Sequence, residues 1–242
     1  MAYCRFYAEL NDFLPPADRQ RLLARRLESA GSVKDFFEGF GVPHPEVALI
    51  LVDARPVGFG HQVLPGDRVS VFPRFRGLPL ADAPVLRPPL VAPIRFLLDV
   101  HLGRLAGLLR LAGFDAAYDN HASDEDLARR ARGESRVLLT RDRDLLKRRD
   151  VVWGYFVRET RPRAQLAEVV RQFDLTQAFE PWTRCGRCND RLDNVALSEV
   201  IAAVPPRVRG APHTYRRCRG CGRVYWDGSH VRGIERILAM TG

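Results

Sequence analysis

The chain has 242 residues, 46% hydrophobic and 28% charged, a composition that argues against disorder and leaves room for two or three small domains. No apolar run approaches the roughly 20 residues a membrane helix needs, because Arg95, Asp99, Arg104 and Arg110 interrupt the most hydrophobic region. The start MAYCRFYAELND lacks a signal-peptide pattern, so a soluble, cytoplasmic protein is expected. A formal charge of +9 favours an acidic partner, nucleic acid first, since each phosphate neutralised releases a counterion.

In chain order, residues 1–79 open on an alternating stretch (Tyr3, Arg5, Tyr7). A helical pattern from Ala17 to Leu27 follows, then a short helix led by Ser32 as N-cap. Val47–Val52 is a continuous apolar run, Pro65–Gly66–Asp67 is turn chemistry, and Val69–Phe72 reads as a closing strand. This order predicts a small α+β domain of the β-grasp type. Cys4, on the opening strand, is expected to be a buried free thiol.

Residues 80–93 lie in a proline-rich connector: GLPLADAPVLRPPLVAP carries five prolines between Gly77 and Pro93, more than a helix interior or central strand tolerates. A domain boundary is expected there.

Over residues 94–175 the pattern becomes β-α repeated four times. The strands are Ile94–Leu98, Phe114–Tyr118, Arg136–Thr140 and Val151–Val157. The helices are Leu102–Ala112, Asp124–Arg132, Asp144–Arg149 and Arg163–Phe173. Short strands that are apolar almost throughout, joined by helices, predict a parallel sheet covered on both faces, an α/β fold.

In such sheets the working crevice lies beyond the carboxyl ends of the strands. Asp99 follows the first strand, Asp119 the second, with Asp124 at the next helix start, and Asp142 and Asp144 the third. Carboxylates gathered without lysine partners repel one another unless a cation neutralises them. Magnesium or manganese would do so, and would activate a water against a phosphodiester. Asp124, Glu125 and Asp126 also suit the first turn of a helix, where acids offset its dipole, and Asp142 serves equally as an N-cap. His101 and His121 flank the edge and stay outside the catalytic set.

Residues 176–242 supply the second chemistry. WTRCGRCNDRL and YRRCRGCGRVYW are two CxxC knuckles, Cys185/Cys188 and Cys218/Cys221, separated by 29 residues. Four thiolates so spaced make a closed tetrahedral shell, a structural zinc site; a redox CxxC would need only one motif. From 181 to 242, eleven Arg face five Asp or Glu, so this end is the most basic. Arginines interleaved with Trp182, Tyr215, Tyr225 and Trp226 suit single-stranded RNA, which stacks bases on aromatics and sets phosphates on guanidinium groups. About half of those aromatics would be needed for the ribbon's own core.

Together, IRFLLDVHLGRLAGLLRLAGFD, SDEDLARRA, RVLLTRDRDLL, the two knuckles and YWDGSH resemble the Mut-seven C-terminal ribonuclease family, a PIN-like domain with a zinc ribbon. The resemblance runs from Ile94 to about Leu238, and the N-terminal part is similar to the ubiquitin-like β-grasp domain that often precedes it. It implies a three-layer α/β/α nuclease in which Asp99, Asp124, Asp142 and Asp144 bind magnesium or manganese. Asp99 and Asp142 would coordinate directly, Asp124 (or Glu125 or Asp126) would complete the shell, and Asp144 would orient the water or a second ion. Arg104, Arg141, Arg184, Arg187, Arg216, Arg217 and Arg219 are the expected RNA contacts, and the β-grasp domain is expected to dock a protein partner. The family commonly has Lys and Arg where this chain has Arg104 and Gly107, which weakens a phosphate contact. The β-grasp part ends VSVFPRFRG, similar to sulfur-carrier proteins, but lacks their terminal Gly-Gly, which disfavours sulfur transfer. The alternative function is a non-catalytic RNA-binding adaptor whose acids only cap helices.

Overall fold

The computed structural model describes residues 1–27, 31–74, 83–210 and 213–227. Part of the proline-rich connector, Phe75, Arg76 and Gly77 of VSVFPRFRG, and Gly228, Ser229 and His230 of YWDGSH lie outside the described residues.

The chain opens as strand β1 (Ala2–Phe6), whose alternation buries Ala2, Cys4 and Phe6 and turns Tyr3 and Arg5 outward. Then come β2 (Leu23–Arg25), α1 (Val33–Glu38), β3 (Leu49–Val52), β4 (Arg55–Pro56) and β5 (Arg68–Phe72). They form one sheet in the order β2-β1-β5-β3-β4, with β1 and β5 parallel and the other pairs antiparallel. Helix α1 starts where the Ser32 hydroxyl accepts from the Asp35 amide. It lays Val33, Phe36 and Phe37 on the buried face of the sheet beside Cys4, Phe6, Ile50 and Val71. This is a β-grasp arrangement, and Cys4 is a buried free thiol whose pKa burial pushes up.

The expected helix from Ala17 to Leu27 is not formed. A short 3-10 turn at Pro16–Asp18 gives way to β2, which pairs with β1 through Cys4↔Leu23. Edge pairing satisfies the backbone there, and Leu23 and Leu27 pack against the core while Leu22 is exposed. Two anchoring leucines four residues apart fit a strand and its exit as well as one helical turn.

The second sheet holds β6 (Phe96–Leu98), β7 (Ala116–Tyr118), β8 (Val137–Thr140) and β9 (Gly154–Phe156), all parallel, in the order β7-β6-β8-β9. Helices α2 (Gly103–Leu111), α3 (Asp124–Gly133), α4 (Arg143–Lys147) and α5 (Pro162–Gln172) alternate with the strands. Phe96, Leu98, Val137 and Leu139 face a core shared with α2 and α5; Leu97 and Leu138, one residue out of phase, face α3 and α4. Burial on both faces explains why these strands read as unbroken apolar runs. The result is a three-layer α/β/α unit. Helix α2 ends in a Schellman turn, with Phe114 N–H donating to Leu109 and Gly113 N–H to Arg110. Gly113 sits at φ +101°, where a Cβ would come 2.3 Å from the Glu180 carbonyl oxygen.

The C-terminal part is an antiparallel ribbon of β10 (Leu192–Val195), β11 (Tyr215–Cys218) and β12 (Val224–Trp226), in that order. Between its strands, α6 (Leu197–Val200) and α7 (Pro206–Arg209) flank a small core of Val200, Val204 and Tyr215.

Candidate active site and metal centre

Strand order places the acids. From β6 the chain goes to β7 on one side, then crosses back over β6 to β8 on the other. The reversal falls between the carboxyl ends of β6 and β8, where doubly wound sheets form their crevice. Asp99 leaves β6 there, and Thr140, Arg141 and Asp142 leave β8. Asp119 and Asp124 follow β7, on the far side of β6.

Asp99 is only 3% exposed. Its Oδ1 accepts from the His101 amide at 2.8 Å, and its Oδ2 accepts from the Thr140 hydroxyl and from the Arg141 amide at 3.2 Å. Thr140 Oγ1 in turn accepts from the Asp142 amide at 2.9 Å. Asp142 Oδ1 caps α4 by accepting from the amides of Asp144 and Leu145, at 2.7 and 3.2 Å. Thr140, fully buried, therefore ties the two acids together, a residue that sequence reasoning missed. Its signal was a hydroxyl side chain closing an apolar strand two residues before an aspartate.

Among the described residues no basic side chain pairs with Asp99 or Asp142. A buried carboxylate solvated only by neutral donors leaves its charge uncompensated, and oxygen donors of this kind suit a hard divalent cation. Asp124 and Asp144 stand apart from that pair. Asp124 is exposed in the first turn of α3, which Ser123 caps, and Asp144 is exposed and paired with Lys147 at 3.0 Å. The four aspartates do not close into a ligand cluster. Among the described residues, the one group of three or more metal-ligating side chains gathered closely enough to hold an ion is the tetracysteine.

In that group all four Sγ atoms lie within 4.8 Å of one another, and it could hold a zinc ion. Burial pushes the Cys185 thiol up, but the Tyr225 hydroxyl at 3.0 Å and the amides of Cys188 and Arg187 outweigh it and bring it down to about 6. Cys218, with burial dominant, is pushed up to about 12. The first knuckle is stitched to α2 and β7. Arg110, 6% exposed, donates from Nε to the Ala116 carbonyl at 2.7 Å and from Nη1 to the Arg187 carbonyl at 2.6 Å. Asn189 accepts from the Ala116 amide and donates to Asp115, at 3.1 and 2.8 Å. Ala116 begins β7 and Asp115 directly precedes it, so the knuckle docks at the opposite end of that strand from Asp119.

The arginines expected at RNA divide in two. Arg141 Nη1 donates to the carbonyls of Val157, Arg158 and Glu159, each at 2.8 Å. Arg184 serves Asn189 and Asp115, Arg216 donates to the Trp182 carbonyl, and Arg219 forms a bidentate pair with Asp193. Arg104, Arg187 and Arg217 are exposed, with no side-chain hydrogen bond or ion pair to another described residue.

A β-grasp module ahead of a parallel α/β unit with an acidic switch point and a tetracysteine ribbon defines a two-module, nuclease-type protein. The family model of the Mut7-C RNAse domain matches residues 94–238, and that of the Mut7-C ubiquitin domain matches residues 1–78. The chain belongs to the Mut7-C RNAse domain family, carries a Mut7-C ubiquitin-like domain before it, and has RNA as its implied substrate. No curated protein and no solved structure matches it. No described helix is long and apolar enough to cross a membrane.

Proposed function

We propose that the chain is a magnesium- or manganese-dependent ribonuclease that hydrolyses single-stranded RNA at the Asp99–Thr140–Asp142 edge. The observation that carries this reading is Asp99 itself, buried at the switch point with no basic partner and held by three neutral donors. A divalent ion held by Asp99 and Asp142, with Asp124 and Asp144, which stand apart from that pair, completing its outer surroundings, would supply Lewis-acid stabilisation of the phosphodiester and a more acidic water.

The chain's own residues do the positioning. Thr140 fixes the orientation of Asp99 and the start of the loop that carries Asp142. Arg104, exposed at the head of α2, and Arg187 and Arg217 on the ribbon are available for phosphates. The zinc-loaded ribbon acts as an RNA grip rather than a reaction centre, because a Cys4 shell leaves no open position.

The test is manganese titration into the zinc-loaded protein by calorimetry, for wild type, Asp99→Ala and Asp142→Ala, beside cleavage of a labelled single-stranded RNA. Loss of both manganese binding and cleavage in both variants is expected. Thr140→Val should lower cleavage while Thr140→Ser retains it. RNA binding without manganese binding or cleavage in wild type would overturn the reading in favour of an RNA-binding adaptor.

A further inference from the structure

The ubiquitin-like module is packed against the nuclease unit at a specific place. The turn Pro43–Val47 is its leading edge. His44 Nε2 lies 2.9 Å from the Val151 carbonyl, just past the end of α4, with Nδ1 at 2.7 Å from Glu38. Pro45 packs so closely on β9 that a Cβ at Gly154 would come 3.3 Å from the Pro45 Cβ. Glu46 accepts from the Phe156 amide and pairs with Arg158 at 3.0 Å. Arg158 also reaches the Asp12 carboxylate at 3.1 Å.

The last contact falls on the acidic edge. Arg143, the residue between Asp142 and Asp144, donates from Nη1 to the Phe13 carbonyl at 2.9 Å and from Nη2 to the Asp12 carbonyl at 3.2 Å. Its guanidinium also lies over the rings of Phe13 and Phe156, which meet edge to face at 5.4 Å. Helix α4 spans only Arg143–Lys147, too short to be stable by itself. It is held at its start by Arg143 on the ubiquitin-like module, and the segment after it is held by His44.

We infer that the ubiquitin-like module acts in cis as a wall of the nuclease site, with Arg143 the positioning residue through which it sets α4 and the Asp142 cap. The inference rests on the ribonuclease reading for its catalytic consequence, but not for its structural one. Because the acceptors at residues 12 and 13 are backbone carbonyls, the module fixes the place of α4 by chain geometry. This face is therefore already occupied and is unavailable to a protein partner.

The experiment compares full-length, zinc-loaded wild type with Arg143→Ala and Arg143→Lys. It reads amide hydrogen exchange at Asp144 and Leu145, whose N–H groups the Asp142 side chain accepts, together with kcat and KM for a labelled single-stranded RNA. Arg143→Ala should speed exchange at both amides and lower kcat by about tenfold or more, the scale of a small misplacement of a reacting group, with KM unchanged. Arg143→Lys, retaining one donor and the charge, should recover part of both, and it carries the test if the alanine variant does not fold. Exchange at wild-type rates would overturn the inference, as would faster exchange with undiminished kcat. A rise in KM alone would make Arg143 a phosphate contact instead, which also overturns it. If wild type cleaves no RNA, the ribonuclease reading fails, and exchange alone still decides whether the module holds α4.

Discussion

Glu46→Ala tests the junction most directly. The Glu46 side chain is 2% exposed and has two strong partners, the Phe156 amide and the Arg158 guanidinium at 3.0 Å. Burial pushes its carboxyl up against the pull of Arg158. Breaking a buried ion pair by removing one member costs about 3–5 kcal/mol, because the other charge is stranded. Arg158 would not be wholly stranded, since it keeps Asp12 and the carbonyls of Phe156 and Glu9. The lower end, about 3 kcal/mol, is therefore expected. At about 2–4 °C per kcal/mol for a chain of this size, the melting midpoint should fall by about 6–12 °C. Glu46→Gln, which keeps an oxygen for the Phe156 amide, should lose less. The assay is thermal unfolding at neutral pH followed by tryptophan fluorescence, because Trp153 stacks on Arg87 beside the junction. An alanine variant that melts within about 2 °C of wild type would refute the junction as a tight, energetically significant contact.

Asp115 gives a pH prediction. Burial raises its pKa, but hydrogen bonds from Arg136 and Asn189 and the charges of Arg136 and Arg184 outweigh it and hold the carboxyl below its ordinary value. A carboxyl depressed in the folded state contributes stability that is complete above the unfolded pKa of about 3.9 and is lost as pH falls through the folded value. Asp115→Asn should thus lower the urea midpoint at pH 7, with the gap to wild type closing as pH drops below about 4. For the ribbon, a chelator should release one zinc per chain, read by a metallochromic dye, and abolish the β10–β12 signal. The core around Phe96, Leu105 and Val169 shares no residue with the ribbon core and should survive. Cys221→Ser should bind no stoichiometric zinc.

Sequence carried the later fold well because its signals are local. Out-of-phase burial of Leu97 against Phe96 and Leu98 gives an apolar run, Ser123 and Ser32 cap their helices, and Gly113 ends α2 in a left-handed turn that suits glycine. The tetracysteine was legible for the same reason, since ligand spacing is covalent information. Asp142 was read both as a ligand and as an N-cap, and the structure makes it the cap through one oxygen while leaving the other outside any described contact. What stayed hidden depends on long-range or backbone partners. The Leu23 strand needed β1 as a template, Thr140 acts only because β6 and β8 are neighbours, and Arg143 binds carbonyls 130 residues away, which every residue type presents alike. The sharing of basic side chains was likewise invisible. Arg141 and Arg184 were read as RNA contacts, and nothing in the sequence announced the carbonyl and carboxylate partners they hold within the fold.

The docking of the first knuckle at the start of β7 has a metric consequence. The acids lie at the other end of the sheet, and α2 runs between the two, about 12 Å from Gly103 to Leu111 at 1.5 Å per residue, with Arg104 near its acidic end. On the proposed reading, an RNA gripped at Arg187 and cut at Asp99 would have to traverse that helix. The ribbon would then work as a ruler: fragments too short to bridge the interval would lose the grip before they lost the scissile bond, and product length would report the span of α2.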